Sequence, residues 1–150
     1  MSGFIERFAA ALVEAGVPRM PARAFVALLA TDSGRLTAAE LGEQLKVSPA
    51  AISGAVRYLV QVGLVTRERE PGSRRDHYRV SADAWYESTV RREHLLVRWE
   101  RGAREGIDVL GRDTPAGARM AETVAYFEFL QAELPALLAR WQEVRTELRG

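Results

Sequence analysis

Few side chains in this sequence are suited to bond-making chemistry. There are two histidines, His77 and His94, and no cysteine. Neither histidine falls in an HExxH or comparable ligand spacing, and the thiolates that hold most structural metals are absent, so neither a metal nor a cofactor is expected. No GxSxG, Walker or GxGxxG pattern occurs, and the carboxylates are spread among arginines, where a solvated ion-pair face is their ordinary role. An enzyme is the weakest class of function for this chain. The residues that stand out serve a different chemistry, the recognition of base edges and phosphates. Residues 48–62 read SPAAISGAVRYLVQV. Turned at about 100° per residue, Ile52, Val56, Leu59 and Val60 share an apolar face, and Ala50, Gly54, Arg57 and Gln61 lie opposite. Solvent-facing helix positions favour Glu, Lys, Gln and Arg, and a mid-helix glycine costs about 1 kcal/mol relative to alanine. A helix that enters the DNA major groove, about 12 Å wide, needs such a smooth side. Ala50, Ala51, Ser53 and Gly54 are short enough to approach bases, while Arg57 and Gln61 donate hydrogen bonds farther along.

The elements around this helix position it. Ser48 followed by Pro49 is a helix start: a side-chain cap, then a proline whose missing N–H costs nothing in the first turn. Thr37 with Glu40 three residues on forms a capping-box pattern for a shorter helix carrying Leu41 and Leu45. A tight turn at Lys46, Val47 and Ser48 joins the two helices. After Gly63, residues 64–70 and 76–80 read as strands, and PGSRR between them as a five-residue hairpin loop. A helix pair followed by a basic-tipped hairpin is a winged helix-turn-helix, in which the second helix enters the major groove. Residues 46–80 hold seven basic side chains against three acidic ones, a local excess of four in a chain of net charge +1. Arg74 and Arg75 fall at the hairpin tip, within reach of phosphates or an adjacent minor groove, and His77 follows in the wing strand. Arginines on an exposed hairpin are often only solvated, so the combination with the helix pair carries the reading.

The rest of the chain is helical. Residues 2–15 carry Phe4, Ile5, Phe8 and Leu12 on one stripe, and a second helix over about 20–31 carries Phe25, Leu28 and Leu29. Arg35 and Leu36 form a short extended segment. A long helix over about 82–111 aligns Trp85, Leu96, Trp99, Ala103, Ile107 and Leu110, with Gly102 and Gly106 marking either a close helix contact or a bend. A last helix from Thr114 carries Met120, Val124, Phe127, Leu134, Leu138, Trp141 and Leu148, with Pro135 expected to kink it.

With its 47% hydrophobic and 27% charged residues, the 150-residue chain has a globular balance and the length of one domain. Within it, 19–81 is the expected winged helix-turn-helix part, and 1–16 with 82–150 the helical dimerisation part. The fold class is mainly α with a small β-hairpin wing. No stretch approaches the about 20 apolar residues that a bilayer requires, and the N-terminus reads as an amphipathic helix, not a signal peptide. The lack of cysteine is simplest in a cytoplasmic protein.

One N-terminal helix, the run LTAAELGEQLKVSPAAISGAVRYLVQVGLVTRERE, the wing PGSRRDHYRV and two C-terminal helices together resemble the MarR superfamily. The wing and the phrase VSPAAISGAVRYL are most similar to its GbsR-like branch. The resemblance covers most of the chain and is strongest over 36–80. It implies a homodimeric transcriptional regulator, usually a repressor, that binds a near-palindromic operator in double-stranded DNA and is often released by a small effector. On this reading the DNA-facing set is Thr37, Ser48, Pro49, Ala50, Ala51, Ser53, Gly54, Arg57, Arg74, Arg75 and His77. Many MarR wings place an aspartate before the wing arginine, whereas here Arg74 and Arg75 precede Asp76, so the family's Asp-to-Arg brace does not transfer. Among the aromatics, Trp85, Trp99 and Tyr126 are candidates for an effector cage, since aromatic faces attract quaternary ammonium groups, against the commoner use of such residues in cores and interfaces. Phe4, Phe8, Leu12, Leu134, Leu138, Trp141 and Leu148 are the expected dimerisation residues, on stripes that exceed what one winged-helix core needs. The competing reading is a winged-helix protein-interaction module without DNA binding.

Overall fold

The computed structural model describes every residue except Met1, Glu70 and Ser73. Among the described residues, six helices and three strands follow in the order α1 (Ser2–Glu14), α2 (Arg19–Leu29), β1 (Arg35–Thr37), α3 (Ala38–Leu45), α4 (Pro49–Gln61), β2 (Val65–Arg69), β3 (Asp76–Val80), α5 (Ala84–Leu110) and α6 (Pro115–Arg149). The mainly helical class with a small wing is as the sequence indicates. Glu70, read as the end of a strand, and Ser73, read as part of the hairpin loop, lie outside the described residues. The chain divides into two compact units, one reaching to Ser88 and the other spanning Thr89–Gly150, with α5 running from the first into the second.

In the first unit α2 is the central element. Its run AFVALLA has no polar position, and Ala22, Ala24, Phe25, Val26, Ala27 and Leu28 are all buried. Around it pack α1 through Ile5 and Ala9, α3 through Leu41 and Leu45, and α4 through Ile52, Ala55, Val56 and Leu59. Trp85, at the start of α5, stands edge-on to Phe25 with ring centroids 5.5 Å apart. The extended segment at Arg35 and Leu36 becomes a full strand. The sheet order is β1-β3-β2, both pairs antiparallel, with Leu36 opposite Tyr78 and Arg67 opposite Tyr78 on its other side.

The α1 stripe is partly used inside this unit. Ile5 and Ala9 are buried, and Phe8 and Leu12 pack partly buried against the same core. Phe4 stays exposed, stacked edge-on to Phe8.

In the second unit, α5 is continuous through Gly102 and Gly106. A Cβ at Gly106 would lie 3.0 Å from Met120 Cγ, so this glycine admits a close helix contact, while one at Gly102 would meet nothing. Gly111 at φ +84° and the N-cap Thr114 turn the chain into α6. A Cβ at Gly117 would fall 1.7 Å from the Gly111 carbonyl oxygen, so only glycine fits there. Helix α6 runs on through Pro135. The buried apolar residues of this unit are Ala103, Ile107 and Val124, with Met120 and Ala121 packed against them.

Candidate nucleic-acid interface

The turn into α4 is built from backbone geometry. Lys46 is the one non-glycine residue at positive φ among the described residues, in the left-handed region, and its N–H donates to the Gly42 carbonyl, as does that of Val47 at 3.0 Å. Gly42 eases this closure, since a Cβ there would stand a tight 3.2 Å from the Val47 carbonyl oxygen. Ser48 then caps α4: its hydroxyl accepts from the Ala51 N–H at 3.2 Å, with Pro49 in the first turn.

Helix α4 turns its two faces largely as its periodicity requires, except that Val60, expected on the apolar face, stands about 80° from Ile52 at the edge of that face and is 39% exposed. Ile52, Ala55, Val56 and Leu59 are buried, while Ser48, Pro49, Ala50, Ser53, Gly54, Arg57 and Gln61 are exposed and Ala51 is intermediate. Nothing lies within 4 Å of a Cβ built at Gly54. The glycine therefore serves no packing need within the described chain.

Thr37 is used locally. It is 6% exposed, its hydroxyl accepts from the Glu40 N–H at 3.1 Å, and its own N–H donates to Glu40 Oε1 at 2.9 Å. Hydrogen bonding from Thr37, its backbone N–H first and its side chain second, holds the Glu40 carboxyl below its ordinary pKa, helped by the charges of His77 and Arg75. Thr37 thus stands as the cap of α3 instead of projecting outward. His77 sits in the middle strand between Thr37 and Glu68, half-buried, and its Nδ1 finds no hydrogen-bond partner.

The wing strands carry an ion-pair lattice. Asp76 Oδ1 accepts from Arg69 Nε at 3.2 Å, and Oδ2 lies 4.0 Å from Arg67 Nε. Asp76 therefore braces arginines of β2. Glu68 takes Arg79 Nε at 2.8 Å and Arg35 at 3.8 Å on the opposite face. Arg74 and Arg75 are exposed in the hairpin loop.

Between α4 and the wing lies a cleft of about 480 Å³, lined by Ser53, Val56, Arg57, Val60 and Gln61 from the helix and by Arg67 and Tyr78 from the strands. Arg67 and Tyr78 are not identifiable as part of the site from the sequence alone. Alternation within β2 and β3 was visible, but their pairing register, which sets Arg67 opposite Tyr78, was not.

The candidate effector aromatics separate. Trp85 is on Phe25 in the first unit. In the second, Trp99 and Tyr126 both contact Phe127, at 5.8 and 5.6 Å between centroids, and remain 55% and 58% exposed. Beside them Glu100 accepts from Gln131 at 3.2 Å and from Arg104 at 2.9 Å, which holds its carboxyl below the ordinary range, and Arg104 also pairs with Glu128. Of the candidate dimerisation residues on α6, Leu134 and Leu138 are half-buried, whereas Trp141 and Leu148 are exposed. Among the described residues, no helix is long and apolar enough to cross a membrane, and no group of three or more His, Asp or Glu side chains is placed to hold a metal ion.

Comparison with known proteins follows the same division. Residues 15–76 match the MarR family, and residues 83–145 match an MmpR5-like MarR family transcriptional regulator model. The chain is 27% identical over 129 residues to the HTH-type transcriptional regulator MmpR5 of Mycobacterium tuberculosis, covering 83% of this chain and 78% of that protein. A crystal structure of a transcriptional regulator superposes with a TM-score of 0.82 at 24% identity, covering 94% of this chain and 97% of that one, which shows a shared fold. A MarR family transcriptional regulator from Streptomyces coelicolor, solved in complex with DNA, is 22% identical with a TM-score of 0.44, covering 97% of this chain and 79% of that one.

Proposed function

We propose that the chain is a member of the MarR family of transcriptional regulators, models of which match residues 15–76 and 83–145, and that it acts as a homodimer binding a near-palindromic operator, with α4 in the major groove and the wing on the backbone or minor groove. The observation that carries this reading is the exposed side of α4. Its centre is a glycine with open space around it, its neighbours are alanine and serine, and its far end carries Arg57 and Gln61. A protein-docking helix would instead present apolar or aromatic anchors there. The local excess of positive charge over 46–80 supports phosphate contact.

Dimerisation is supported by the second unit. Three buried apolar residues are a slender core for residues 89–150, and units this small need a larger one to be stable alone. Tyr126, Phe129, Leu137, Trp141, Val144 and Leu148 are nonetheless exposed along α6. The spacing of Leu137, Trp141, Val144 and Leu148 alternates four, three, four, the period of a helix that packs lengthwise on another helix. A second copy supplies the missing cover, and a two-fold dimer sets two α4 helices about one DNA turn apart.

Repression is the mode the family resemblance implies. Placement in a GbsR-like branch rests on VSPAAISGAVRYL and the wing; the C-terminal match is to an MmpR5-like model. Release by a small effector rests on the same resemblance, and Trp99, Phe127 and Tyr126 form the aromatic cluster available to it in the second unit. The experiment is titration of labelled duplex from the gene's own upstream region at several salt concentrations. Saturable binding that weakens with salt and exceeds that of a scrambled duplex is expected. Absence of salt-sensitive binding to any duplex would leave the protein-interaction module as the better reading.

A further inference from the structure

From the cleft between α4 and the wing, we propose that it seats one sugar–phosphate strand of the operator, gripped from two sides by Arg57 of the helix and Arg67 of β2. The inference rests on the reading of α4 as a groove-entering helix and adds to it the path of the backbone and a contact residue. A helix with its side chains is about 10–12 Å across, and the major groove is about 12 Å wide, so a helix in the groove touches the phosphate ridges on both flanks. For the wing to reach the DNA as well, one of those ridges must pass between helix and wing.

The residues present suit that occupant. Ser53, Arg57, Val60 and Gln61 form one wall, and Arg67 and Tyr78 the other. The two guanidiniums and the side-chain amide donate to phosphodiester oxygens, as the Tyr78 hydroxyl can. Val60, exposed although aliphatic, offers carbon surface to a deoxyribose ring. The pairing at Asp76 also distinguishes two arginines that sequence alone makes equivalent. Arg67 and Arg69 are alternate residues of one strand, with similar side-chain exposure of 64% and 68%. Arg69 is hydrogen-bonded to Asp76 at 3.2 Å and is not part of the cleft, whereas Arg67 is 4.0 Å from the same carboxylate and lines it. Arg67 is the one of the pair positioned for an oxyanion.

The test is phosphate-ethylation interference on a bound duplex, with the salt dependence of affinity measured in parallel, for the full chain and the variants Arg57→Ala, Arg67→Ala, Arg67→Lys and Arg69→Ala. Arg57→Ala and Arg67→Ala are expected to lose interference at the same phosphate or at adjacent phosphates of one strand. Each should lower the slope of log affinity against log salt by roughly 0.9, the value of one phosphate contact on B-form DNA. Arg67→Lys should retain the slope, and Arg69→Ala should keep the parental interference pattern. Arg67→Ala with an unchanged pattern, or with a loss on the strand opposite to that of Arg57→Ala, would overturn the shared seat. Equal effects of Arg67→Ala and Arg69→Ala would overturn it in favour of a diffuse basic surface. Failure of the parent chain to bind any duplex would instead remove the DNA-binding reading, and the cleft assignment with it.

Discussion

Gly54 separates stability from function more sharply than any other residue of the interface. It lies mid-way along α4, exposed, with nothing beyond its chain neighbours and the local helix backbone within 4 Å of where a Cβ would be. Gly54→Ala therefore gains helix propensity without a steric cost, about 1 kcal/mol. For a unit of this size that raises the thermal midpoint by roughly 4–8 °C. Gly54→Glu recovers much of the same propensity and places a carboxylate three residues before Arg57, a pairing worth about 0.2–0.5 kcal/mol on a helix surface. In the DNA complex the same carboxylate stands against the groove. Specific affinity is then expected to fall to the non-specific level, a loss on the order of 10³-fold or more. The assay pairs thermal unfolding by circular dichroism with duplex titration at fixed salt. Gly54→Glu that is more stable than the parent and fails to select its operator agrees with the reasoning. Parental operator affinity in that variant would refute the placement of Gly54 in the groove, and a lowered midpoint in Gly54→Ala would refute the open space around it.

Three further outcomes follow from the packing. Gly117→Ala forces a methyl into the Gly111 carbonyl, a backbone clash at 1.7 Å, and should cost more than about 3 kcal/mol, read as early melting of the C-terminal helices in hydrogen exchange. The Glu40 carboxyl is held below its ordinary pKa by its bonds to Thr37, so its contribution is fully present above the unfolded-state value and is lost as pH falls through the depressed one. Acid titration of stability should therefore flatten in Glu40→Gln, and Thr37→Ala should cost about 0.5–2 kcal/mol at neutral pH through loss of the cap. Deleting residues 136–150 should abolish operator binding although every proposed DNA contact remains; sedimentation of the parent as a 16.7 kDa species would remove the reason for that expectation.

Local physics made part of this protein legible without coordinates. The Ser48–Pro49 start, the Thr37–Glu40 capping box and the bounds of β3 depend on neighbours within a few residues, and each is present as read. The smooth side of α4 is likewise a property of one helix. Other features depended on which faces meet, and periodicity within an element does not encode its partner. Residues 35–37 became a strand because they pair with 77–79, about forty positions later. That pairing buries Thr37 and encloses His77, both of which looked available for contact in the sequence. The α1 stripe was divided between core and surface by its packing on α2, which left Phe4 exposed. Asp76 acquired its arginines from β2 instead of the hairpin tip, and Arg67 acquired its place opposite α4, through a cross-strand register that no single strand carries. Side-chain direction is local, whereas the surface it meets is set by non-local pairing, so sequence determined the elements and their faces and only the tertiary structure decided the cleft they enclose.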